Sequence, residues 1–400
     1  MPATKTKNMA KKIAIIFEDK LYNQRGRFNA IRNRITHLSH IADFSIDVFL
    51  ITTYDPWYVR ILRGTKKVER VKQAVIDGIT YHVIWKRFSI IDYLLEEKLY
   101  RSPLFSPLFY RSIAHRLTGY QLLSAHSGNP GWVAEMVAKR DHVPFFVTWH
   151  GSDIHLLPSQ NAYYRSQAQR LLRSAACNFF VSKALSETAR RITPSFKYEI
   201  LYNGAGKSFY RYDEEQRKHL RSQYGVKEDE KVIAFVGDLI DIKNPKLLPS
   251  IFKSVKEIYH RPLKFWVIGS GKYSTWVKEK CNALQLSATC WGAQPPDDMP
   301  KYMNCIDVLV LPSLNEGLPL VTIEAIACGA NAVGSDVGGI SETVGKKNVF
   351  PLGDKFVEHI SWRIVEMLSG NVEQPLRDVF DWRVTAKKEK EIYDTCLSEQ

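Results

Sequence analysis

The 400-residue sequence lacks three features that would place it in common classes of protein. No run of about 18 apolar residues occurs, so we expect no membrane-spanning helix. The apolar stretch near the basic N-terminus is short and has the pattern of a strand, so we also expect no signal peptide. The six cysteines form no C-x-x-C pair and lie in apolar segments, which predicts free thiols in a reducing compartment.

Acidic residues are scarce in the first half of the chain. Residues 1–200 hold 30 Lys and Arg against 15 Asp and Glu, a balance of +15, whereas residues 201–400 hold 26 against 27, a balance of −1. This asymmetry suggests that the N-terminal half meets an anionic partner: a membrane surface, a phosphorylated acceptor or a nucleic acid. A basic surface that serves solubility alone is the alternative. Nucleic acid is disfavoured because no aromatic-glycine motif or zinc pattern appears.

Short apolar strands alternate with helical stretches along the chain, a pattern typical of parallel sheets covered by helices on both faces. The length suits two domains, and a polar stretch without a strand pattern, residues 203–230, separates two series of strands. We therefore predict an α/β protein with two doubly wound, Rossmann-like domains, residues 1–202 and 203–379. A terminal helix at 380–400 is expected to pack back towards the first domain.

An apolar helix, predicted from Pro319 to Cys328, carries one carboxylate, Glu324. A buried carboxylate without partners costs several kcal/mol or changes its pKa. The two adjacent hydroxyls of a ribose would satisfy Glu324, and a solvent gap or a structural Lys or Arg would do so equally.

The loop before this helix has the features of an anion site. Pro319 suits the first helical turn, and Gly317 lets the backbone approach a ligand closely. The free N–H groups of the first turn, at Leu320 to Thr322, would bind a diphosphate. Glu316, just outside the helix, would accept hydrogen bonds from sugar hydroxyls.

Several segments of the chain, taken in order, resemble those of the family 4 glycosyltransferases, which are retaining enzymes with the GT-B fold. The resemblance covers nearly the whole chain. It rests on Glu316 and Glu324, on the later Gly338, Gly339 and Glu342, and on the segments "WHGSD" (149–153), "FFVSKA" (179–184), "YNGAGKSFY" (202–210), "FVGDLIDIKN" (235–244) and "VIGSGKY" (267–273). It implies two facing domains with an interdomain cleft.

The resemblance also implies an activity. The enzyme would move a hexose from a UDP- or GDP-sugar, with retention, to a lipid-linked or polysaccharide-precursor acceptor. Such acceptors serve capsule, O-antigen, exopolysaccharide or teichuronic-type glycans. No metal and no other cofactor is expected, because this fold normally manages the diphosphate with a helix dipole and cations.

The family pattern assigns roles to single residues. His150 and Glu316 are the candidate catalytic residues, both expected to face the donor sugar. The candidate donor-binding residues are Asp238, Lys243, Gly269, Gly317, Leu318, Pro319, Leu320, Val321 and Glu324. Asp238 departs from the family, which usually has arginine there, so charge compensation of the diphosphate is expected to rest on Lys243, the helix N-terminus and a basic residue of the N-terminal domain. Asp238 would instead accept a hydrogen bond from a ligand hydroxyl or pair with Lys243.

The first loop of the chain matches the family's glycine-containing loop, which meets the diphosphate or the acceptor. Gly26, Arg25 and Arg27 are its candidate residues, and Arg32 and Arg34 extend the basic cluster. A solvated helix face and a binding site for an acceptor phosphate both explain this cluster. Asp153, near His150, is either a site residue or a helix cap.

Aromatic and basic residues are interleaved through residues 85–116. This density suits an interfacial surface that meets anionic lipid, although the aromatics could instead be core. We therefore expect a cytoplasmic enzyme, peripheral on the inner face of the cell membrane through its N-terminal domain.

Two enzyme alternatives keep the fold and change the reaction: a nucleotide-sugar epimerase and a glycan phosphorylase. The two glutamates speak against the first, and the lack of a lysine in a recognised pyridoxal motif speaks against the second. A basic nucleic-acid-binding module is the alternative from another class. The sequence leaves the oligomeric state open.

Overall fold

The computed structural model describes residues 11–22, 26–370, 372 and 374–399. The chain divides into two compact units: Met1–Tyr202 with Trp382–Gln400, and Asn203–Asp381. Each unit contains one sheet with helices packed against it. The prediction of two parallel α/β domains is therefore confirmed.

The first unit is built on an eight-stranded sheet. Its strands are β1 (Lys12–Glu18), β2 (Ser45–Tyr54), β3 (Gln73–Ile76), β4 (Ile79–Arg87), β5 (Leu122–His126), β6 (Phe145–Trp149), β7 (Cys177–Phe180) and β8 (Tyr198–Ile200). Its helices up to residue 192 are α1 (Gly26–Ile41), α2 (Trp57–Arg63), α3 (Ile90–Glu97), α4 (Ser106–Arg116), α5 (Gly128–Asp141), α6 (Ser152–His155), α7 (Leu157–Gln160), α8 (Ala162–Ser174) and α9 (Lys183–Ile192).

The strand order of this sheet is β3-β4-β2-β1-β5-β6-β7-β8, and the order reverses between β1 and β5. All neighbouring strands pair in parallel except β3 and β4. Strands β5 and β6 are buried along their full length because helices cover both faces. The register aligns Phe17 of β1 with Leu50 and with His126, so the carboxyl ends of these strands lie together.

The second unit has a six-stranded, fully parallel sheet in the order β11-β10-β9-β12-β13-β14. The strands are β9 (Lys231–Val236), β10 (Leu263–Ile268), β11 (Ala288–Gly292), β12 (Val308–Leu311), β13 (Asn331–Ser335) and β14 (Val349–Phe350). The helices are α10 (Glu214–Gln223), α11 (Leu248–Tyr259), α12 (Ser274–Ala283), α13 (Met299–Cys305), α14 (Leu320–Ala327), α15 (Ile340–Val344) and α16 (Phe356–Leu368). This is the dinucleotide-fold strand order, and it reverses between β9 and β12.

Four strands were not predicted, and each lacks a strong apolar pattern. Strands β3 and β8 lie at the two edges of the first sheet and are only partly buried. Strand β13 is buried but consists of small residues and a polar end, and β14 has two residues. Edge position and short length remove the apolar run that identifies a central strand.

All six cysteines are free, as expected. Among the residues that the structure describes, no helix is both long and apolar enough to cross a bilayer.

The C-terminal helix α17 (Trp382–Ser398) returns to the first unit and packs against α1. Arg34 of α1 donates from Nε to Oε2 of Glu389 at 2.5 Å, and both side chains are almost fully buried. Tyr393 Oη donates to Oε1 of Glu389 at 2.6 Å, so both carboxylate oxygens have partners. Arg34 is therefore a structural residue rather than part of a solvated or phosphate-binding cluster, which corrects the prediction.

Removing Glu389 should destabilise the protein because Arg34 would remain charged and buried. We expect Glu389→Ala to lower the free energy of unfolding by about 3–5 kcal/mol, measured by urea unfolding. Glu391→Ala, an exposed position on the same helix, is the control and should change it by less than about 0.5 kcal/mol. Equal losses in both variants would contradict the structural role of the ion pair.

Candidate functional site

In the second unit, charged side chains meet where the strand order reverses, between β9 and β12. Lys243 follows β9 in a short 3-10 turn, and Glu316 follows β12. Lys243 Nζ lies 2.5 Å from Glu316 Oε1, which also accepts from Ser313 Oγ at 2.7 Å. The backbone N–H of Leu314 donates to the carbonyl of Ile242 at 2.7 Å, so the two loops are also joined directly. The structure thus brings together two of the predicted site residues.

Two glycines allow the loops around this ion pair to approach closely. A Cβ on Gly269, where φ is +133°, would lie 1.9 Å from the carbonyl oxygen of Gly237 in the loop after β9. A Cβ on Gly338, where φ is +52°, would lie 1.8 Å from the carbonyl oxygen of Glu316. Gly269 was predicted to bind the donor, and the structure shows that backbone packing already requires it. Backbone packing requires Gly338, the first glycine of the motif's pair, in the same way.

Helix α14 starts immediately after this loop. Its N-cap is Pro319, which has extended backbone (φ −75°, ψ 110°) and no side-chain cap. Within the described part of the chain, no acceptor receives the first-turn N–H groups of Leu320 and Val321. Leu318 and Pro319 are buried, so any ligand would meet the backbone of this turn. Unbonded N–H groups at a helix N-terminus favour an anion.

Glu324 lies on α14 as a partly buried carboxylate in an apolar helix. Among the described residues, no hydrogen bond or ion pair reaches its side chain. Burial raises the pKa of Glu324 to about 7 because the carboxylate loses solvation without a compensating partner. The carboxylate is therefore available to a ligand that offers hydroxyl donors.

Replacing Glu324 by glutamine should change how stability depends on pH. A raised pKa means that ionisation destabilises the folded state, so the wild type loses stability as the pH rises from about 4.5 towards 7 and above. We expect the stability difference between Glu324→Gln and the wild type to shift by about 2–3 kcal/mol in favour of the variant between pH 5 and pH 8. Urea unfolding without ligand measures this.

Glu358→Gln, an exposed glutamate on α16, is the matched control and should show no such shift. A pH-independent difference for Glu324→Gln would mean that this carboxylate is solvated in the folded protein.

In the first unit, His150 follows β6 and contacts a second histidine, His126, at the end of β5. His126 Nδ1 lies 3.0 Å from His150 Nε2, and the rings stack with centroids 5.2 Å apart. Burial, His150 and nearby arginines lower the pKa of His126. Burial and the Arg27 and Arg34 guanidiniums lower the pKa of His150. Both rings are therefore neutral, and one donates to the other.

His126 was missed at the sequence level, although it ends a strand next to the one that leads to His150. Its hydrogen bond occupies Nε2 of His150, which leaves Nδ1 as the ring nitrogen for a ligand. Asp153 accepts from the backbone N–H groups of His150 and Gly151, at 3.2 and 2.9 Å. The N-cap position of α6 is Gly151, without a side-chain cap, so Asp153 is not the helix cap; from inside α6 it holds the turn that carries His150.

Acid should weaken the histidine pair. Because both pKa values are lowered in the folded state, the unfolded chain binds more protons below pH about 6.5, and stability falls as the pH drops. We expect His126→Phe, which keeps the ring and removes the bond, to lose less stability than the wild type between pH 7 and pH 5. Urea unfolding at pH 7 and pH 5 measures this difference.

His115→Phe, at an exposed position on α4, serves as the control. An unchanged pH slope in His126→Phe would contradict the burial of a neutral His126 in this pair.

The first loop of the chain is only partly described. Arg25 lies outside the described residues. Gly26 begins α1, and a Cβ there would meet no described atom within 4 Å, so packing does not account for this glycine. Arg27 donates to the Asp19 carboxylate at 3.0 Å and to the carbonyl of Glu18 at 2.8 Å. Arg32 pairs with Asp77 through two hydrogen bonds, so it also has a structural partner.

Asp238 lies in the loop after β9, where its backbone carbonyl accepts from the N–H of Ile240 at 3.0 Å. Its role towards a ligand stays a prediction, as do the roles of the other site residues. No group of three metal-ligating side chains occurs within the described ranges.

Two family models match the chain. The model "Glycosyltransferase Family 4" matches residues 62–206, and the model "Glycosyl transferases group 1" matches residues 216–381. These matches favour glycosyl transfer over the epimerase, phosphorylase and nucleic-acid alternatives.

Among curated proteins, TuaC of Bacillus subtilis, named as a glycosyltransferase of teichuronic acid biosynthesis, is 28% identical over 226 residues. The match covers 56% of this chain and 55% of TuaC. The chain thus spans little more than half the length of the first curated relatives it matches, at 55–59%.

Solved structures show the same fold at low identity. Sucrose-phosphate synthase from Thermosynechococcus elongatus has a TM-score of 0.75 and 19% identity, covering 98% of this chain and all of that one. A crystal structure of Anabaena HepE in complex with UDP and glucose has a TM-score of 0.65 and 16% identity, covering 97% and 100%.

Proposed function

Because this chain belongs to the family 4 glycosyltransferases and has their GT-B fold, we propose that it transfers a hexose from a nucleotide-sugar to a lipid-linked or other precursor of a cell-surface polysaccharide, with retention. The observation that carries this proposal is the ion pair between Lys243 and Glu316 beside the open N-terminus of α14. A cation, unbonded N–H groups and a carboxylate are held where two parallel strands diverge. Such a place suits a ligand that is both anionic and hydroxylated.

The diphosphate of the donor would bind to Lys243 and to the first-turn N–H groups of α14. Lys243 would then exchange Glu316 for phosphate oxygens, and Glu316 would become free to accept from sugar hydroxyls. Glu324 would accept from the ribose. A carboxylate that costs solvation in the free protein thereby gains two hydrogen bonds in the complex.

Catalysis by this arrangement would act on the leaving group. When the bond between the anomeric carbon and the diphosphate oxygen breaks, negative charge grows on that oxygen. Lys243 and the helix N-terminus are already in place to stabilise this charge. Because Asp238 replaces the usual arginine, Lys243 bears a larger share of this stabilisation.

The relatives support a choice of donor and acceptor class. HepE was solved with UDP and glucose, which supports a UDP-sugar as the first donor to test, followed by GDP-sugars. TuaC is named for teichuronic acid biosynthesis, which supports a cell-envelope glycan precursor as the acceptor.

We further propose that the enzyme works at the cytoplasmic face of an anionic membrane, bound through its first unit. The basic excess of residues 1–200 supports this location. In the 85–116 segment, Tyr110 is buried core, whereas Tyr93, Tyr100 and Phe105 are exposed, so only part of the interleaved segment is available to a membrane.

Nucleotide release with a panel of UDP- and GDP-sugars tests the activity, and two variants test the site. We expect Lys243→Ala to weaken UDP binding and to lower kcat by about 100-fold or more, because both the ground state and the leaving group need this cation. Glu316→Gln should lower kcat and leave UDP affinity nearly unchanged.

Lys246→Ala, an exposed lysine three positions along, is the control and should match the wild type. Wild-type kinetics in both site variants would remove this ion pair from the active site. Release of no nucleotide from any donor by the wild type would refute the proposed function.

A further inference from the structure

An apolar pocket in the first unit has no role in the donor chemistry. It lies between α2, the end of β4, α3 and α4, and its volume is about 380 Å³, within the range of small-ligand pockets. Its walls are largely apolar, formed chiefly by Tyr58, Phe88, Ile90, Ile91, Phe105 and Phe109.

Exposed apolar side chains adjoin this pocket. Trp57, Ile61 and Leu62 lie on α2, and each side chain is about two-thirds exposed or more. Leu104, just before α4, and Leu108, on α4, are about 60% exposed. Large apolar side chains grouped this way on a surface mark a site for a membrane or an apolar ligand.

The walls of the pocket are held by a buried carboxylate. Asp92 of α3 accepts from the backbone N–H groups of Leu104, Phe105 and Ser106 and from Ser106 Oγ, at 2.6–2.9 Å. Burial acts to raise the pKa of Asp92, but these hydrogen bonds keep it below its ordinary value. The pocket is therefore built into the fold, and its one carboxylate is already fully bonded.

Cations line the pocket and its rim. The Arg63 guanidinium lies 4.0 Å from the ring centroid of Phe88. Arg87 is exposed and donates to Tyr58 Oη at 3.3 Å, and no carboxylate of the described residues pairs with it. Lys86 lines the pocket, donates to Tyr110 Oη at 2.9 Å and lies 3.8 Å from Glu18 Oε1. An anion next to an apolar chain would find partners here.

Lys86 also connects the apolar pocket to a polar cavity. Tyr110 Oη donates to Glu18 Oε2 at 2.6 Å, and Glu18 ends β1. Glu18 lines a cavity of about 120 Å³ at the carboxyl ends of β1, β5 and β6, together with Arg27, Asn129, Tyr164 and Gln167. These side chains offer hydrogen-bond donors and acceptors of the kind that bind sugar hydroxyls.

We propose that this part of the first unit binds a sugar acceptor linked through phosphate to a lipid chain. The hydrocarbon chain would occupy the apolar pocket, the phosphate would meet Lys86 and Arg87, and the acceptor sugar would enter the polar cavity. The order apolar, cationic, hydroxyl-binding along the surface matches the order of parts in such an amphiphile. This inference rests on the proposed function and names where the acceptor binds.

The test uses dodecyl phosphate, below its micelle concentration, as the probe on the full chain, with dodecyl maltoside as the uncharged comparison. We expect Ile91→Glu, which places a charge on the pocket wall, to weaken binding of both probes at least 10-fold. Arg87→Ala should weaken binding of dodecyl phosphate at least 5-fold and leave dodecyl maltoside unchanged. Titration calorimetry measures both affinities.

Matched controls lie in the same region outside the pocket. The Leu99 side chain is about as exposed as that of Ile91, and Leu99→Glu is the control for Ile91→Glu. Arg111→Ala removes another exposed cation and is the control for Arg87→Ala. Both control variants should bind dodecyl phosphate as the wild type does. All four variants should keep UDP affinity and donor-only nucleotide release, which separates failure of this inference from failure of the proposed function.

Wild-type dodecyl phosphate affinity in Ile91→Glu and Arg87→Ala would overturn the proposal. A second outcome would also overturn the proposal: the two variants lose flotation with anionic vesicles but keep dodecyl phosphate affinity. The surface would then bind membranes without holding a single hydrocarbon chain in the pocket.

Discussion

Both candidate sites depend on a reversal of strand order in a parallel sheet. Where neighbouring strands send their connections to opposite faces, the loops separate and leave a gap at the carboxyl ends. In the second unit this gap lies between β9 and β12, with Lys243 on one side and Glu316 on the other. In the first unit it lies between β1 and β5, with Glu18 at one strand end and His126 at the other. Ionisable side chains therefore lie close together at these strand ends.

Buried ionisable groups are handled in three ways in this protein. Arg34 and Glu389 form a buried ion pair between α1 and α17, which leaves Nη2 of Arg34 without a partner among the described residues. His126 and His150 stay neutral and share a hydrogen bond. Among the described residues, the Glu324 carboxylate has neither an ion-pair partner nor a hydrogen-bond partner, and burial raises its pKa to about 7. The first two arrangements stabilise the fold by themselves, whereas the third leaves a cost that a ligand with hydroxyl groups can offset. That difference is the reason why we propose a binding role for Glu324.

The two units also differ in how they use their cations. In the second unit, Lys243 pairs with Glu316, and Arg217 and Arg221 both donate to Asp307. These pairs agree with the nearly balanced charge of residues 201–400. In the first unit, Arg63 lies over the Phe88 ring and also 3.5 Å from the Asp55 carboxylate, whereas Arg87 lies near the Tyr58 ring and no carboxylate of the described residues pairs with it. A guanidinium over a ring keeps its charge available to an anion. The first unit therefore places an unpaired cation, Arg87, next to exposed apolar side chains.

Local pattern was enough to predict the two sheets, the terminal helix, the loop with Glu316 and the helix with Glu324. Continuous apolar strands, a proline at the start of a helix and glycines in the loops have local physical causes, and those causes can be read along the chain. The partners of long-range contacts were not predictable. His126 and His150 are 24 positions apart, Lys243 and Glu316 are 73 apart, and Arg34 and Glu389 are 355 apart.

The same distinction explains the errors. Arg34 looks like its neighbour Arg27 in the sequence, yet only the packing of α17 on α1 decides that Arg34 is buried and paired. Tyr110 looks like Phe105, yet one is core and the other is exposed. The sequence by itself determined which elements form and which residue types stand at their ends. Only the tertiary structure decided which of those residues meet, because burial and pairing depend on helices and strands that are distant along the chain.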